Sequence, residues 1–182
     1  MGGSIDLTQL FHIAQKCGVS LDEYKTFIET GTYLGETTAR MASLFQKVYT
    51  IEVSEALYTQ TRAVLSRYPN VVAIFGDSKV VLQSLAKELD PHKPVIYFLD
   101  AHFSSGITGK ADKDVPLLEE LTAIGDRGNH GDIVIIDDFR LFGTKQNEDW
   151  SDITTTNVIN AISKGETKPK WFILDDRLVI HW

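Results

Sequence analysis

The feature that most constrains how this chain can fold is a fivefold alternation of short apolar runs with segments of helical periodicity. The apolar runs are rich in β-branched and aromatic residues and are short enough to be strands; they are residues 24–30, 47–53, 71–75, 95–99 and 133–136. This alternation predicts a doubly wound α/β fold, with a mostly parallel sheet and helices on both faces. Continuous apolar runs also predict strands that are covered on both faces.

The end of the chain breaks the alternation. Residues 171–174 and 177–182 are apolar runs joined by Asp175 and Asp176. Two strands joined by two such residues are typical of a β-hairpin, whose strands are antiparallel. We therefore predict a seven-stranded sheet that is parallel except for its last strand.

The spacing of apolar residues predicts which side chains face the core in the first helix and in the helix after the second strand. Asp6 and Gln9 have the spacing of a capping box and begin the first helix, while Ser54 is a natural N-cap for the helix after the second strand. The side chains predicted to face the core are Leu7, Leu10, Phe11, Ala14 and Cys17 on the first helix, and Leu57, Thr61, Val64, Leu65 and Tyr68 on the other.

Length and cysteine content bound the organisation of the chain. With 182 residues we expect one domain over residues 1–182. Residues 1–4 are expected to be an artificial leader, on a domain cut from a longer polypeptide. Cys17 is the only cysteine, so the chain cannot form an internal disulfide, and we expect this thiol to fill the core in a cytoplasmic setting.

The charge balance bears on possible partners. The chain has 18 basic and 25 acidic residues, a formal net charge of -7. A phosphate backbone is repelled by such a balance, so we expect no nucleic-acid partner. No apolar run approaches the ~18 residues of a membrane span, so no membrane partner is expected either. The sequence leaves the oligomeric state open.

Acidic residues end the first three predicted strands. Glu29 precedes a turn in which Gly31 allows a tight bend and Gly35 lets the next helix approach closely. An acid here would repel a pyrophosphate but suits a cationic ligand such as a sulfonium. Glu52 lies 21 residues after Gly31, where a carboxylate can accept both hydroxyls of a ribose, and Asp77 could meet an adenine amino group. Each acid could instead serve a helix N-terminus.

A second set of polar residues follows the fourth and fifth strands. Asp100 and His102 come after the fourth strand, and Asp137 and Asp138 after the fifth. Because neighbouring parallel strands end at the same edge, three carboxylates could form an oxygen site for Mg²⁺ or Ca²⁺. The spacing alone equally allows a solvated strand end and a structural histidine.

These motifs resemble a known family. The segment Glu29-Thr-Gly-Thr-Tyr-Leu-Gly35, then Ile51-Glu52-Val53, then Gly76-Asp77-Ser78 are similar to the first three motifs of class I S-adenosylmethionine-dependent methyltransferases. The resemblance implies a Rossmann-like methyltransferase fold and S-adenosylmethionine as cofactor. The residues that it implies for cofactor binding are Glu29, Thr30, Gly31, Thr32, Gly35, Glu52, Val53, Asp77, Ser78 and Asp100.

Within that family, the aspartate after strand four and the Ile-Ile-Asp-Asp-aromatic segment after strand five look like the metal-dependent sugar O-methyltransferases of the macrocin and mycinamicin type. The match implies that Asp100, Asp137 and Asp138 hold a divalent metal, Mg²⁺ or alternatively Ca²⁺ or Mn²⁺, and that the acceptor is a sugar or glycan hydroxyl. This chain is shorter than those enzymes and has Ala101-His102 where they have other residues.

The reaction so implied is an in-line transfer in which the protein mainly supplies alignment. His102 is the first candidate for the catalytic base, because imidazole titrates near neutrality, and Asp100 is the second. Phe103, Arg140 and Trp150 could contact the substrate, and the loop 103–114 could close over it.

Two other functions remain open on the sequence. A metal-dependent glycosyltransferase could use Asp137 and Asp138 for a nucleotide-sugar, and a cofactor-binding module could have lost turnover. The acceptor could be a small molecule, a glycan or a peptide.

Overall fold

The structure is a computed structural model and describes residues 3–100, 115–128, 131–164 and 167–182. The helices are α1 Leu7–Cys17, α2 Glu36–Met41, α3 Glu55–Leu65, α4 Ser78–Glu88, α5 Leu117–Arg127 and α6 Thr155–Ile162. The strands are β1 Thr26–Thr30, β2 Lys47–Glu52, β3 Val71–Phe75, β4 Val95–Leu99, β5 Ile133–Ile136, β6 Lys170–Leu174 and β7 Arg177–His181. Short 3-10 turns cover Leu21–Glu23 and Phe139–Leu141.

The strands form one seven-stranded sheet in the order β3-β2-β1-β4-β5-β7-β6. Strands β1 to β5 pair in parallel, and β7 is antiparallel to both β5 and β6. This arrangement confirms the predicted fold class. The strand order reverses between β1 and β4, which places the two halves of the sheet on either side of that pair.

Helices cover both faces of the sheet. On one face, Ile28, Tyr97 and Val134 pack with apolar side chains of α4, α5 and α6. On the other face, Phe27 and Phe98 pack with residues of α1 and α2 in a second cluster. Because neighbouring residues of a strand point to opposite faces, each central strand contributes to both layers.

The predicted helix starts are present. Asp6 and Gln9 form the reciprocal hydrogen bonds of a capping box, and the Ser54 hydroxyl accepts a hydrogen bond from Leu57 N at 3.4 Å. The hairpin is present too. Asp175 and Asp176 have φ values of 49° and 64°, the left-handed pair that a two-residue type I′ turn requires.

Two inward positions were predicted wrongly. Phe11 is 54% exposed, because it lies about 100° round α1 from the buried Leu10. Val64 is 45% exposed, because α3 packs on β2 and on β3, which is an edge strand among the strands that the structure describes.

The expectation that every strand is covered on both faces was also wrong. Phe75 on β3, and Trp171 and Ile173 on β6, are each about half exposed. These two strands form the edges of the sheet, where an apolar run has a neighbouring strand on one side alone. No helix in the part of the chain that the structure describes is both long and apolar enough to cross a membrane.

Candidate functional site

The point where the strand order reverses is the natural ligand site of such a sheet. β1 and β4 end together there, since Thr30 lies opposite Leu99 and Asp100 N donates a hydrogen bond of 3.1 Å to Thr30 O. Gly31 and Asp100 therefore leave the sheet side by side. The predicted cofactor residues of β1, β2 and β3 lie on one side of this point, and the aspartates that follow β5 lie on the other.

The turn after β1 needs its glycines. Gly31 and Gly35 have φ values of 86° and 77°, a left-handed conformation that side chains disfavour. The amides of Gly31 and Thr32 both donate hydrogen bonds to Ile51 O, at 3.0 and 3.3 Å. The turn is thereby fixed to the end of β2.

Glu29 is buried among threonines. Its side chain is 2% exposed, and its Oε2 accepts hydrogen bonds from the hydroxyls of Thr38 on α2 and, at 2.8 Å, of Thr50 on β2. Thr50 in turn shares a 2.6 Å hydrogen bond with Thr32. This carboxyl therefore ties together β1, β2, α2 and the glycine turn.

Burial also changes the acidity of Glu29. Desolvation raises the pKa of its carboxyl from 4.5 to about 7, against the lowering effect of the hydrogen bonds from the threonine hydroxyls. The charge of Glu52 adds to the rise. The Glu29 carboxyl of the folded protein therefore changes from its neutral to its ionised form near neutral pH.

Glu52 joins two backbone segments at the end of β2. Its Oε2 accepts a hydrogen bond from Tyr33 N in the glycine turn, and its Oε1 accepts one from Ser54 N, both at 2.9 Å. Each carboxylate oxygen has a second lone pair, so both can accept a further hydrogen bond. The side chain is 5% exposed and lies at the end of the strand next to β1.

Asp77 caps α4. Its Oδ1 accepts a hydrogen bond from Lys79 N at 3.2 Å, and its other oxygen lies 3.4 Å from Lys79 Nζ. Asp77 is therefore a helix cap, one of the two roles that the sequence allows. Its contact with a ligand stays a prediction. Ser78 is buried, whereas Val53, after β2, is partly exposed.

Sequence reasoning missed Glu120. This α5 residue is 1% exposed, and burial raises the pKa of its carboxyl to about 7 while the hydroxyls of Ser78 and Thr30 act to lower it. The signal was available in the helical pattern, since position 120 lies three residues after Leu117 and four before Ile124, on the inward face.

The three aspartates beyond β4 and β5 come close together. Burial raises the pKa of the Asp100 carboxyl well above its usual range, the charges of Asp137 and Asp138 add to the rise, and Arg177 opposes it. Burial likewise raises the pKa of Asp137. Asp100, Asp137 and Asp138 therefore interact electrostatically, and so does Arg177, which was not singled out from the sequence. That the three aspartates hold a metal stays a prediction.

Arginines pair with two of these aspartates. Arg177 Nε lies 3.3 Å from Asp137 Oδ1, and Gly3 N donates a 2.9 Å hydrogen bond to the other oxygen. Arg140 Nη1 pairs with both Asp138 and Asp176. Among the residues that the structure describes, no group of three His, Cys, Asp or Glu side chains is arranged to hold a metal ion.

Of the remaining predicted site residues, the structure describes Trp150 but not those of the loop after β4. His102, Phe103 and the loop 103–114 lie outside the described residues. Trp150 is 3% exposed and stacks against Phe142 at 6.0 Å between ring centroids, so it covers the core and does not present a face to a substrate.

Comparison with known proteins gives matches among solved structures. A candidate caffeoyl-CoA O-methyltransferase from Staphylococcus aureus has a TM-score of 0.64 at 18% identity, with 99% of this chain and 85% of that chain covered. A candidate methyltransferase from Streptococcus mutans, solved with SAH, has a TM-score of 0.60 at 18% identity and 98% coverage of both chains.

The chain has the Rossmann-like methyltransferase fold. An rRNA methylase from Streptococcus thermophilus shares this methyltransferase fold at a TM-score of 0.53 and 19% identity, with 98% of this chain and 97% of that chain covered. No protein-family model and no curated protein sequence matches the chain.

Proposed function

We propose that this protein transfers a methyl group from S-adenosylmethionine to a hydroxyl of a small acceptor, a sugar or glycan. The observation that carries the proposal is the row of acids at the ends of β1, β2 and β3, Glu29, Glu52 and Asp77, beside the reversal of strand order in a methyltransferase fold. A protein with the same fold was solved with SAH, S-adenosylhomocysteine, the demethylated form of that cofactor.

The residues present fit this cofactor. Glu52 retains a lone pair on each oxygen and can accept the two ribose hydroxyls. The turn from Thr30 to Gly35, which includes Thr32, would surround the methionine part, and its backbone is already held by Ile51 O. Asp77, Ser78 and Val53, which follow β3 and β2 on the side of β1 away from β4, would contact the adenine.

The cofactor, when bound, supplies an electrophilic methyl group on a sulfonium. The chain has to hold the acceptor oxygen in line with that methyl group and take the hydroxyl proton as the new oxygen–carbon bond forms and the sulfur–carbon bond breaks. His102 is proposed as the first candidate for the group that accepts this proton. Asp100, which lies at the end of β4 beside the glycine turn, is the second candidate.

A divalent cation does not fit the three aspartates as they are arranged. Arg177 and Arg140 already neutralise Asp137 and Asp138, and a metal would have to displace both guanidinium groups. We therefore propose that the arginines balance the charge of the cluster. No step of the proposed reaction passes through a metal.

The acceptor is proposed to be a small molecule and not RNA, although one protein of similar fold is an rRNA methylase. The net charge of -7 opposes a phosphate backbone.

A methyl-transfer assay tests the proposal. Labelled S-adenosylmethionine is incubated with a panel of deoxysugars, glycans, peptides and RNA, with Mg²⁺ or with EDTA. We expect label on a sugar hydroxyl and the same rate under both conditions. Loss of turnover in EDTA would restore the metal site, and label on RNA or peptide alone would overturn the sugar acceptor.

Two further outcomes separate the rival functions. Binding of a uridine or guanosine diphosphate without binding of S-adenosylhomocysteine would indicate a glycosyltransferase. Binding of S-adenosylhomocysteine with no labelled acceptor from the panel would favour a module without turnover.

A further inference from the structure

Strand β6 is an edge of the sheet and has an exposed apolar face. It pairs with β7 on one side, and among the strands that the structure describes none pairs with it on the other. Trp171 and Ile173 are 49% and 47% exposed and, being two residues apart, point to the same face of the sheet. An open strand edge beside such side chains is a template for another strand, so β6 is a candidate interaction surface.

The hairpin geometry shows which backbone groups of β6 point to the open edge. In a two-residue type I′ hairpin the residues next to the turn, here Leu174 and Arg177, exchange hydrogen bonds, and bonded and non-bonded pairs then alternate along the strands. Phe172 therefore also bonds to β7, whereas Trp171 and Ile173 direct their N–H and C=O groups to the open edge. The same two residues thus offer both backbone groups and apolar side chains to a partner strand.

A second copy of β6 meets these groups best in one antiparallel register. With Phe172 opposite Phe172 of the other copy, Trp171 lies opposite Ile173, and each such pair can exchange both of its hydrogen bonds. A pair centred on Trp171 would place Pro169, which has no N–H, opposite Ile173. A pair centred on Ile173 would place Trp171 opposite Asp175, which lies in the turn. The register centred on Phe172 is therefore the one that uses both residues of the open edge.

The charges at the two ends of β6 are complementary in this register. Lys168 and Lys170 lie at its start and are exposed. Asp175, also exposed, and Asp176 follow its end. Because the two strands run in opposite directions, the lysines of one copy lie alongside the aspartates of the other, with Lys168 opposite Asp176. Opposite charges across paired strands stabilise the pairing.

The other edge strand, β3, is less suited to such pairing. Its exposed large apolar side chain is Phe75, and the ring of Phe75 already packs against Tyr58 at 5.5 Å between ring centroids. The acid that follows the strand, Asp77, is paired with Lys79 at 3.4 Å. An exposed apolar pair with opposite charges at the two ends of the strand is therefore a property of β6.

We propose that β6 binds a second copy of this chain by antiparallel pairing centred on Phe172, which joins the two sheets into one. Trp171 and Ile173 of both copies then form one apolar cluster on the same face of the joined sheet. The contact is one short strand from each copy, so it is a small interface and the dimer depends on protein concentration. The inference is independent of the proposed methyl transfer.

Sedimentation equilibrium over a dilution series, with amide hydrogen exchange measured by NMR at both ends of the series, tests the inference. We expect the mass to rise from one chain to two with concentration. The N–H groups of Trp171 and Ile173 should exchange about tenfold more slowly when about nine-tenths of the chains are paired, since exchange then needs the unpaired fraction. The N–H of Phe172, bonded to β7 in both states, should change little.

Ile173→Lys and Phe75→Lys are a matched pair of variants. Each places a lysine at a half-exposed apolar position of an edge strand, on β6 and on β3 respectively. We expect Ile173→Lys to raise the dissociation constant of the dimer at least about tenfold, because the change acts twice in a symmetric contact, and Phe75→Lys to leave it unchanged. Ile173→Pro removes an N–H of the open edge and no bond to β7, and should abolish the dimer.

The contrary outcomes are distinct. A protein that stays monomeric at every concentration would overturn the inference, and if its Trp171 and Ile173 amides were also protected, another part of this chain would cover the edge. A dimer that Phe75→Lys disrupts, or one whose Trp171 and Ile173 amides exchange as in dilute protein, would mean that the copies meet elsewhere. An Ile173→Pro protein that dimerises like the wild type would equally contradict the pairing.

Discussion

At the scale of single residues, Glu29 shows how a predicted ligand group is also a structural one. From its position before a glycine turn, the sequence predicts that this acid meets a cationic ligand. In the structure its carboxyl is held by the Thr38 and Thr50 hydroxyls, from α2 and β2. Both hydroxyls donate to Glu29 Oε2, so a direct contact with the methionine part of the cofactor would use Oε1. Without such a contact, Glu29 would support the cofactor by holding the glycine turn in place.

The buried carboxyl of Glu29 makes stability depend on pH. Its pKa is raised from 4.5 in the unfolded chain to about 7 in the folded one, so the folded state binds more protons between these values. Stability therefore falls as the pH rises through this range, by about 3 kcal/mol at most from this group. Glu120 acts in the same direction.

Glu29→Gln removes the titrating group and is expected to flatten this pH dependence. The measurement is the free energy of unfolding from urea titrations at about pH 5 and about pH 8, either side of the raised pKa. Glu36→Gln, on the exposed start of α2, is the control and should keep the wild-type slope. An unchanged slope in Glu29→Gln would mean that this carboxyl is already ionised in the folded protein.

The sequence predicted which residues lie at the site better than it predicted their partners. Acids at strand ends follow directly from the alternation of elements. The partners of those acids are far apart along the chain, as with Thr50 and Glu29 or Asp176 and Arg140, and no local pattern indicates such pairs. For the same reason, the arginines that occupy the predicted metal cluster were not foreseen.

At the scale of elements, the hairpin between β6 and β7 holds the segment after β5. Asp176 O accepts a hydrogen bond from Phe139 N, and Asp176 Oδ1 accepts one from Arg140 N, both at 2.8 Å. Arg140 returns a side-chain bond to the same carboxylate and also binds Asp138, whose φ of 57° is left-handed. The turn thus fixes the orientation of one aspartate of the acidic cluster.

Asp176→Ala should destabilise the protein more than Asp175→Ala. Both residues have a positive φ, so the cost to the turn itself is similar, and the difference isolates the bonds of the Asp176 side chain. We expect a difference of about 1 to 2 kcal/mol in the free energy of unfolding, measured in urea. Equal losses in the two variants would show that this side chain contributes nothing beyond the turn.

Element boundaries were predictable because strong signals coincide at them. The hairpin has its two acidic turn residues, and α1 has its capping box. What the same signals do not specify is which strands become edges. That property depends on pairing between strands that are distant in sequence. β4 pairs with β1, which leaves β3 at one edge, and β7 pairs with β5, which leaves β6 at the other, so Phe75 and Trp171 are exposed.

At the scale of the whole molecule, the candidate site is assembled by one reversal of strand order. It brings together the glycine turn, Glu52 and Asp77 on one side and Asp100 with the arginine-paired aspartates on the other. The first set is proposed to hold the cofactor and the second the acceptor, so the reacting atoms would meet between β1 and β4.

Calorimetric titration of S-adenosylmethionine into the wild-type protein and into Glu52→Ala tests this claim most directly, with Glu55→Ala on the exposed start of α3 as control. We predict binding by the wild type and the control, and a loss of about ten- to a hundredfold in Glu52→Ala, because a charged acceptor of two ribose hydroxyls is removed. Wild-type protein that binds no S-adenosylmethionine, or a Glu52→Ala protein that binds it equally well, would contradict the account.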